Sequence, residues 1–567
     1  FVDHSGTNTV TVDGGDLILR THNENGSLSF ASASDKIWYE SGSIIWEGVD
    51  SQADFDAFQA TFNGWVDAGN VTSTVYSASE LKHGLTFVGG DAVLYPPAVY
   101  SPNPINTPNV FVDPNLASIS WETSDENYTY DIYLSPDKSL VDQGDDSVLL
   151  AGGHTSTSVN VSLNNTQQRY YWRVDAIDGG TTTAGATWTF VAGDSEDTGS
   201  DTYYVATHGS DLNAGTEAEP FATIQRAASR IGCDIMAGAT SDKTVYIRGG
   251  NYYQSSALTF SEWESPDDAN QTITYKNYPG EEPIIVGGTP ITGWELDSGS
   301  VYKTYVGIGS EFYCLFENNQ RSTMAREPDS GYNTIGTEVS KTEFIYTSGD
   351  YSTFDYSDAQ VMVWPGNGNW NWYSITQPIA DINFGTRQIT VQAASEFGLP
   401  AGNRYFVQGA KEFLDSPGEF YLDQSTGWLY YWPVNTPIAS QEIIAPTTGE
   451  HLLEIKGSSE AQRAQSLHFE GLTFTISDFT DDYLIPTVNK EDSVHNGLIQ
   501  IEDAHNVAVQ FCKIQNAGFS AVQLDKYNQD IAIYGNLIDD FGYHGVYLHG
   551  WNIGAGGYSS AAASYVS

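Results

Sequence analysis

Near the C-terminus, Glu502, Asp525 and His549 recur at separations of 23 and 24 residues. Gln500, Gln523 and Tyr547 stand two positions before them, so in extended chain each pair shares a face. If successive copies stack as parallel strands ~4.8 Å apart, the Glu502 and Asp525 carboxylates lie roughly 5 Å from each other. That is near the separation at which one carboxylate attacks a sugar carbon while the other acts as acid and base, the retaining form of glycoside hydrolysis. Crowding that raises one pKa would select the acid, and His549 would tune the pair. In so acidic a chain, strand-end acids also serve solubility alone.

Three further clusters invite a chemical reading. Asp539 and Asp540 precede His544, His549 and Trp551, an acid–imidazole corner that would follow the next strand. Residues 477–495 break the spacing and carry Asp478, Asp481, Asp482, Glu491, Asp492 and His495. A loop of that length is a lid, a calcium site built of hard carboxylate oxygens, or a solvated acidic segment. It lacks the spacing of an EF-hand. The run Trp364-Pro-Gly-Asn-Gly-Asn-Trp370-Asn-Trp372-Tyr puts flat rings beside amides, the composition of a sugar platform and equally of an aromatic core.

The positioning elements follow from the repeat. Leu467-His-Phe-Glu-Gly-Leu-Thr-Phe474 matches Val507-Ala-Val-Gln-Phe-Cys-Lys-Ile514, which matches Ile531-Ala-Ile-Tyr-Gly-Asn-Leu-Ile538 after 24 residues. Three short strands per turn at that period predict coils of a parallel β-helix. Ile224, Ala227, Ala228 and Ile231 lie on one face of an amphipathic helix over 221–231, placed to cap the N-terminal end of the coils.

Upstream, residues 1–105 show short alternating strands (9–12, 17–20, 43–46, 85–88) separated by turn signals such as Asp13-Gly14-Gly15, and one helix-compatible stretch at 54–62. This reads as a β-sandwich of unassigned role. Residues 106–193 repeat the sandwich spacing, with Trp121 early and Tyr171-Trp172-Arg-Val174 late, and 194–202 form an acidic linker.

Composition narrows the field. The 567 residues carry 23 Lys+Arg and 72 Asp+Glu, a net charge of −49. No basic stripe exists to displace counterions from a nucleic acid, and an anionic membrane surface is disfavoured equally. No run of 18 apolar residues appears, which argues against a membrane-spanning helix. Phe1 at the start fits a mature chain freed of its secretion signal, hence an extracellular or cell-surface location. Cys233, Cys314 and Cys512 are too few and too scattered for a disulfide framework or zinc site, and read as small buried hydrophobes.

Two stretches resemble known families. Residues 106–193 are similar to a fibronectin type III module. From Tyr203-Tyr-Val through Arg248-Gly-Gly-Asn-Tyr252, Tyr278-Pro-Gly-Glu281, Leu315-Phe-Glu-Asn-Asn-Gln-Arg321 and Pro417-Gly-Glu419, the chain resembles the right-handed parallel β-helix hydrolases and lyases of the pectate-lyase-like superfamily. The resemblance covers about 201–550. It implies an all-β chain: an N-terminal β-sandwich, a fibronectin III-like sandwich, then a right-handed parallel β-helix over 203–567. An inserted β region would occupy about 295–450, with regular coils over about 466–550. It also implies binding or cleavage of an extracellular polysaccharide, with no required cofactor, although the architecture hosts many reactions. The competing expectation is a structural surface-layer or matrix protein that assembles through calcium. The carboxylates named above, with Trp364, Trp370, Trp372 and Tyr547 against the sugar and Asp478, Asp481 and Asp482 on any metal, are the candidate site residues.

Overall fold

The computed structural model describes strands at 9–20, 36–47, 71–72, 85–88 and 91–94. From residue 99 onward it describes all residues except 105, 107–110, 114, 124–126, 164–166, 267–270, 348–350, 368–370, 372–373, 396, 450, 480–496 and 550–567. The chain is all-β and divides into two compact units, residues 1–198 with 236–239, and residues 199–235 with 240–567. No described helix is long and apolar enough to cross a membrane.

In the first unit, Thr9–Arg20 is one strand rather than two, paired in parallel with Lys36–Glu47. The expected turn at Gly14-Gly15 is instead a slip of register between Asp13 and Asp16, because glycine accommodates a bulge as readily as a turn. The stretch at 54–62 lies outside the described residues. Between residues 99 and 192, a six-stranded and a three-stranded sheet share one core, with Trp172 and Trp188 4.7 Å apart and Trp121 edge-on to Tyr130 at 5.2 Å. A short helix, Lys138–Gln143, interrupts the strands. Asp137 caps its first amides and Gly144, in the left-handed region, ends it.

The second unit is a right-handed parallel β-helix with three sheets. Sheet A contains Thr202–Val205, Lys243–Ile247, Ile273–Asn277, Leu467–Glu470, Ala504–Gln510 and Gln529–Tyr534. Sheet B contains Gly250–Tyr253, Pro283–Val286, Thr473–Thr475, Lys513–Ala517 and Leu537–Phe541. Sheet C contains Leu258–Phe260, Leu453–Lys456, Gly497–Glu502, Ser520–Asp525 and Val546–His549. Inward residues such as Val245, Ile285, Ile499, Val522 and Leu524 build one continuous core, joined by Ile224, Ala227, Ala228 and Ile231 of helix Ile224–Met236.

Two devices fasten one coil to the next. Arg248 clasps Glu281 through Nε and Nη2 and lies over the Tyr278 ring at 4.3 Å, which gives the two quoted motifs a structural reason. Asn528 spans Ala504 N–H and Ile501 C=O, and Asn536 spans Cys512 N–H and Val509 C=O, each reaching 24 and 27 residues back. These amides pair with backbone groups at and next to the strand ends of the preceding coil.

The large insert and the acidic loop both leave the helix at the same place, the corner from sheet B to sheet C. The large insert separates Pro283–Val286 from Leu453–Lys456, the acidic loop separates Thr473–Thr475 from Gly497–Glu502, and the next two corners are short. Within the insert, strand Arg404–Gln408 pairs with Gln360–Val363 as well as with Asn333–Glu338, so the seven-stranded sheet closes on itself around Tyr405, Val407, Val361 and Phe344.

Candidate active site

The parallel register places Lys456, Glu502, Asp525 and His549 in one column of sheet C, and Glu454, Gln500, Gln523 and Tyr547 in the column beside it. Because the intervening Ile499, Ile501, Val522 and Leu524 point into the core, Gln500, Glu502, Gln523 and Asp525 point outward. Adjacent strands put Glu502 and Asp525 roughly 5 Å apart along the column.

Their environment departs from the solubility reading. Outward carboxylates at strand ends should be wet, yet Glu502 and Asp525 are each 2% exposed, and Gln500 and Gln523 are 0% exposed. A buried carboxylate needs counter-charge and hydrogen bonds. Glu502 has both: Lys526 Nζ lies 2.9 Å away, Lys456 Nζ 3.2 Å, and the Gln500 amide donates at 3.3 Å. The Gln523 amide donates to Asp525 at 3.1 Å. Tyr547 continues the glutamine column, its phenol pushed up mainly by burial, with smaller contributions from Tyr543 and Asp525, and its ring lies parallel to His544 at 4.8 Å. Burial holds His544 below the usual histidine value, so it is a neutral ring near pH 7. His549 pairs in register with Asp525 at the end of the column.

The other candidates fall elsewhere. Asp539 and Asp540 lie at the end of sheet B, both exposed. Asp539 accepts the Asp540 amide, and Asp540 pairs with Arg321 at 3.4 Å. They do not join the Glu502 column. Asp478 sits at the sheet B to sheet C corner, where Oδ1 accepts the backbone amides of Tyr313 and Cys314 at 2.9 and 3.0 Å. It therefore ties the insert to the coils. Burial outweighs those hydrogen bonds and pushes its carboxyl up to about 7, and burial likewise pushes the neighbouring Cys314 thiol up to about 12. Asp481, Asp482, Glu491, Asp492, His495, Trp370, Trp372 and Trp551 lie outside the described residues. Among the described residues, no group of three or more His, Cys, Asp or Glu side chains could hold a metal ion. Trp364 is half-buried on the insert, edge-on to Tyr332 at 4.8 Å.

Two features were missed. Lys456 and Lys526 are legible in hindsight, one from its place in the column and the other from its place next to Asp525. The second is a clamp: the hairpin tip of the insert docks Asn319 onto Asn516 and Thr475, and Arg321 onto the Ala517 carbonyl. No local pattern signals a contact nearly 200 residues long.

No family model matches the chain. Over 92 residues it is 32% identical to the uncharacterized protein YwoF of Bacillus subtilis (strain 168), a match covering 16% of this chain and 17% of that protein. A solved structure described as a glycoside hydrolase is similar with a TM-score of 0.50 at 17% identity, covering 60% of this chain and 66% of the other. That likeness is one of fold. The family 28 exopolygalacturonase of Yersinia enterocolitica aligns over 76% of this chain and 67% of its own at 11% identity, with a TM-score of 0.19.

Proposed function

We propose that this is an extracellular glycoside hydrolase that binds a polysaccharide over sheet C and cleaves it with retention of configuration. The observation that carries the reading is the pair of outward carboxylates, Glu502 and Asp525, on adjacent coils and withdrawn from water. Glu502, flanked by two lysine ammonium groups, is the nucleophile, and Asp525 is the acid that protonates the leaving oxygen and then the base that activates water. Gln500 and Gln523 orient the carboxylates, Tyr547 offers a ring face to a sugar, and His549 ends the column beside them. The fold shared with a structure described as a glycoside hydrolase supports the reading.

The test is a screen of neutral and acidic polysaccharides, reading new reducing ends and, by NMR, the anomer released first. Retention is expected, with the activity lost in Glu502→Gln and Asp525→Asn. An inverted first product, an unsaturated product, or full activity in both variants contradicts it. Ordered sheets that assemble with calcium and dissolve with chelator, in a protein without hydrolytic activity, would favour a structural role instead.

A further inference from the structure

On the closed sheet of the insert, Tyr405 and Val407 face the core, so Arg404 and Phe406 must face out. Arg326 lies flat over the Phe406 ring at 3.6 Å and spends two donors on the carbonyls of Pro328 and Gly331. It thereby holds down the loop that presents Tyr332, which is 47% exposed. Trp364 is fixed from the other side: its amide donates to the Arg404 carbonyl, and its own carbonyl accepts from Asn371 and Asn403.

Trp364 and Tyr332 meet edge-on at 4.8 Å, and the Arg404 guanidinium packs beside the pair, 4.6 Å from Trp364 and 5.1 Å from Tyr332. Stacking fixes its plane. Yet among the described residues Arg404 ion-pairs with no carboxylate, and its side chain donates to no acceptor. With no ion pair among the described residues, its fork remains open to a ligand. Its planar set of N–H donors matches a carboxylate in two-pronged fashion, and the flanking rings match the apolar face of a pyranose.

We propose that Trp364, Tyr332 and Arg404 form a second glycan-binding site, separate from sheet C, for a sugar that carries a carboxylate. The rings hold the sugar face, and Arg404 clasps its carboxylate. The inference deepens the polysaccharide reading by naming a chemical class, and it rests on that reading for the ligand being a glycan. The net charge of −49 works against any anion at long range, so a preference for the acid has to arise from local contact.

The probes are a glucuronate-bearing disaccharide and its carboxyl-reduced neutral counterpart, with binding to the full chain followed by ligand-detected NMR and calorimetry. The wild type should bind the acid at least ~10-fold tighter, the ratio a charge-assisted two-pronged contact supports. Arg404→Gln should abolish that preference without changing affinity for the neutral sugar. Arg404→Lys should restore only part of it, since an ammonium group has no fork. Tyr332→Ala, at an exposed loop position, should weaken both ligands alike. Equal binding of acid and neutral sugar, a preference that survives Arg404→Gln, or no binding of either overturns the proposal. Glu502→Gln should leave the preference intact. Arg404-dependent binding in a protein with no hydrolytic activity would sink the enzyme reading alone, and hydrolysis without the preference would sink this one alone.

Discussion

Two pairs of acids in the C-terminal coils make an informative contrast. Glu502 and Asp525 are 23 residues apart and lie in one column of sheet C, each 2% exposed and supported by lysine or amide. Asp539 and Asp540 are adjacent in sequence, end a strand of sheet B, and stand exposed with one ion pair to Arg321. Both pairs look like catalytic dyads in the sequence. The difference is that β-structure sends neighbours to opposite faces, whereas a coil period brings distant residues together on one face. A dyad in a β-helix is therefore sought at the coil period and not in a dipeptide. Burial with a counter-charge or amide partner then separates the Glu502–Asp525 pair from the solvated Asp539–Asp540 pair.

The largest effect that could break this contrast is on activity. Asp525→Asn and Glu502→Gln should each lower hydrolysis by roughly 10³-fold or more, the order expected when an acid/base or nucleophile is lost. Asp539→Asn and Asp540→Asn should stay within about 3-fold, as exposed substitutions do. Comparable losses in all four would erase the distinction.

A third acid sharpens it on the scale of stability. Asp478 is buried like Glu502 but has backbone amides for partners instead of ammonium groups. Its folded carboxyl keeps a proton up to about 7, while the unfolded chain releases it near the ordinary 3.8. Between those values the unfolded state binds fewer protons, so this group makes stability fall as pH rises from ~4 to ~7. Asp478→Asn keeps an acceptor for the two amides and cannot ionise. It should match the wild type near pH 4 and exceed it at pH 8 by up to about 4 kcal/mol in urea unfolding. No pH-dependent gain would show that this carboxyl is not held neutral.

Smaller effects complete the series. Lys526→Met removes one of two counter-charges from buried Glu502 and should cost about 1–3 kcal/mol in the same unfolding assay, less than a fully orphaned buried charge because Lys456 remains. Asp540→Asn removes an exposed ion pair and should cost less than about 1 kcal/mol, shrinking further in high salt. A reversed order would mean that burial does not rank these acids.

The same contrast explains what could be read from the residues alone. Both sheet C columns were legible, because the spacing of Gln500, Gln523 and Tyr547 and the alternation of Ile499 and Ile501 are local and periodic. The inward face of the Ile224–Met236 helix was legible for the same reason. That the outward columns are nearly dry was not, since burial depends on what covers a face and sequence spacing reports only which face. The closed sheet of the insert, the Asn319–Asn516 clamp and the Asp478 tether were invisible, because each pairs residues roughly 40 to 200 positions apart with no repeat to announce them. The Gly14-Gly15 bulge was misread as a turn because glycine serves both. The calcium reading of residues 477–495 rests on Asp481 and Asp482, which lie outside the described residues. Asp478, the described member, is engaged with the insert.

The paired-carboxylate assignment is tested most directly by trapping the nucleophile. The protein would be incubated with a panel of activated 2-deoxy-2-fluoroglycosides, which form the glycosyl-enzyme but release it slowly, and the modified residue located by peptide mass spectrometry. The expected result is one sugar adduct per chain, on Glu502, absent in Glu502→Gln and slower to form in Asp525→Asn. An adduct on Asp539, Asp540 or any residue outside the sheet C column, or no adduct with any glycoside that the protein hydrolyses, would contradict it.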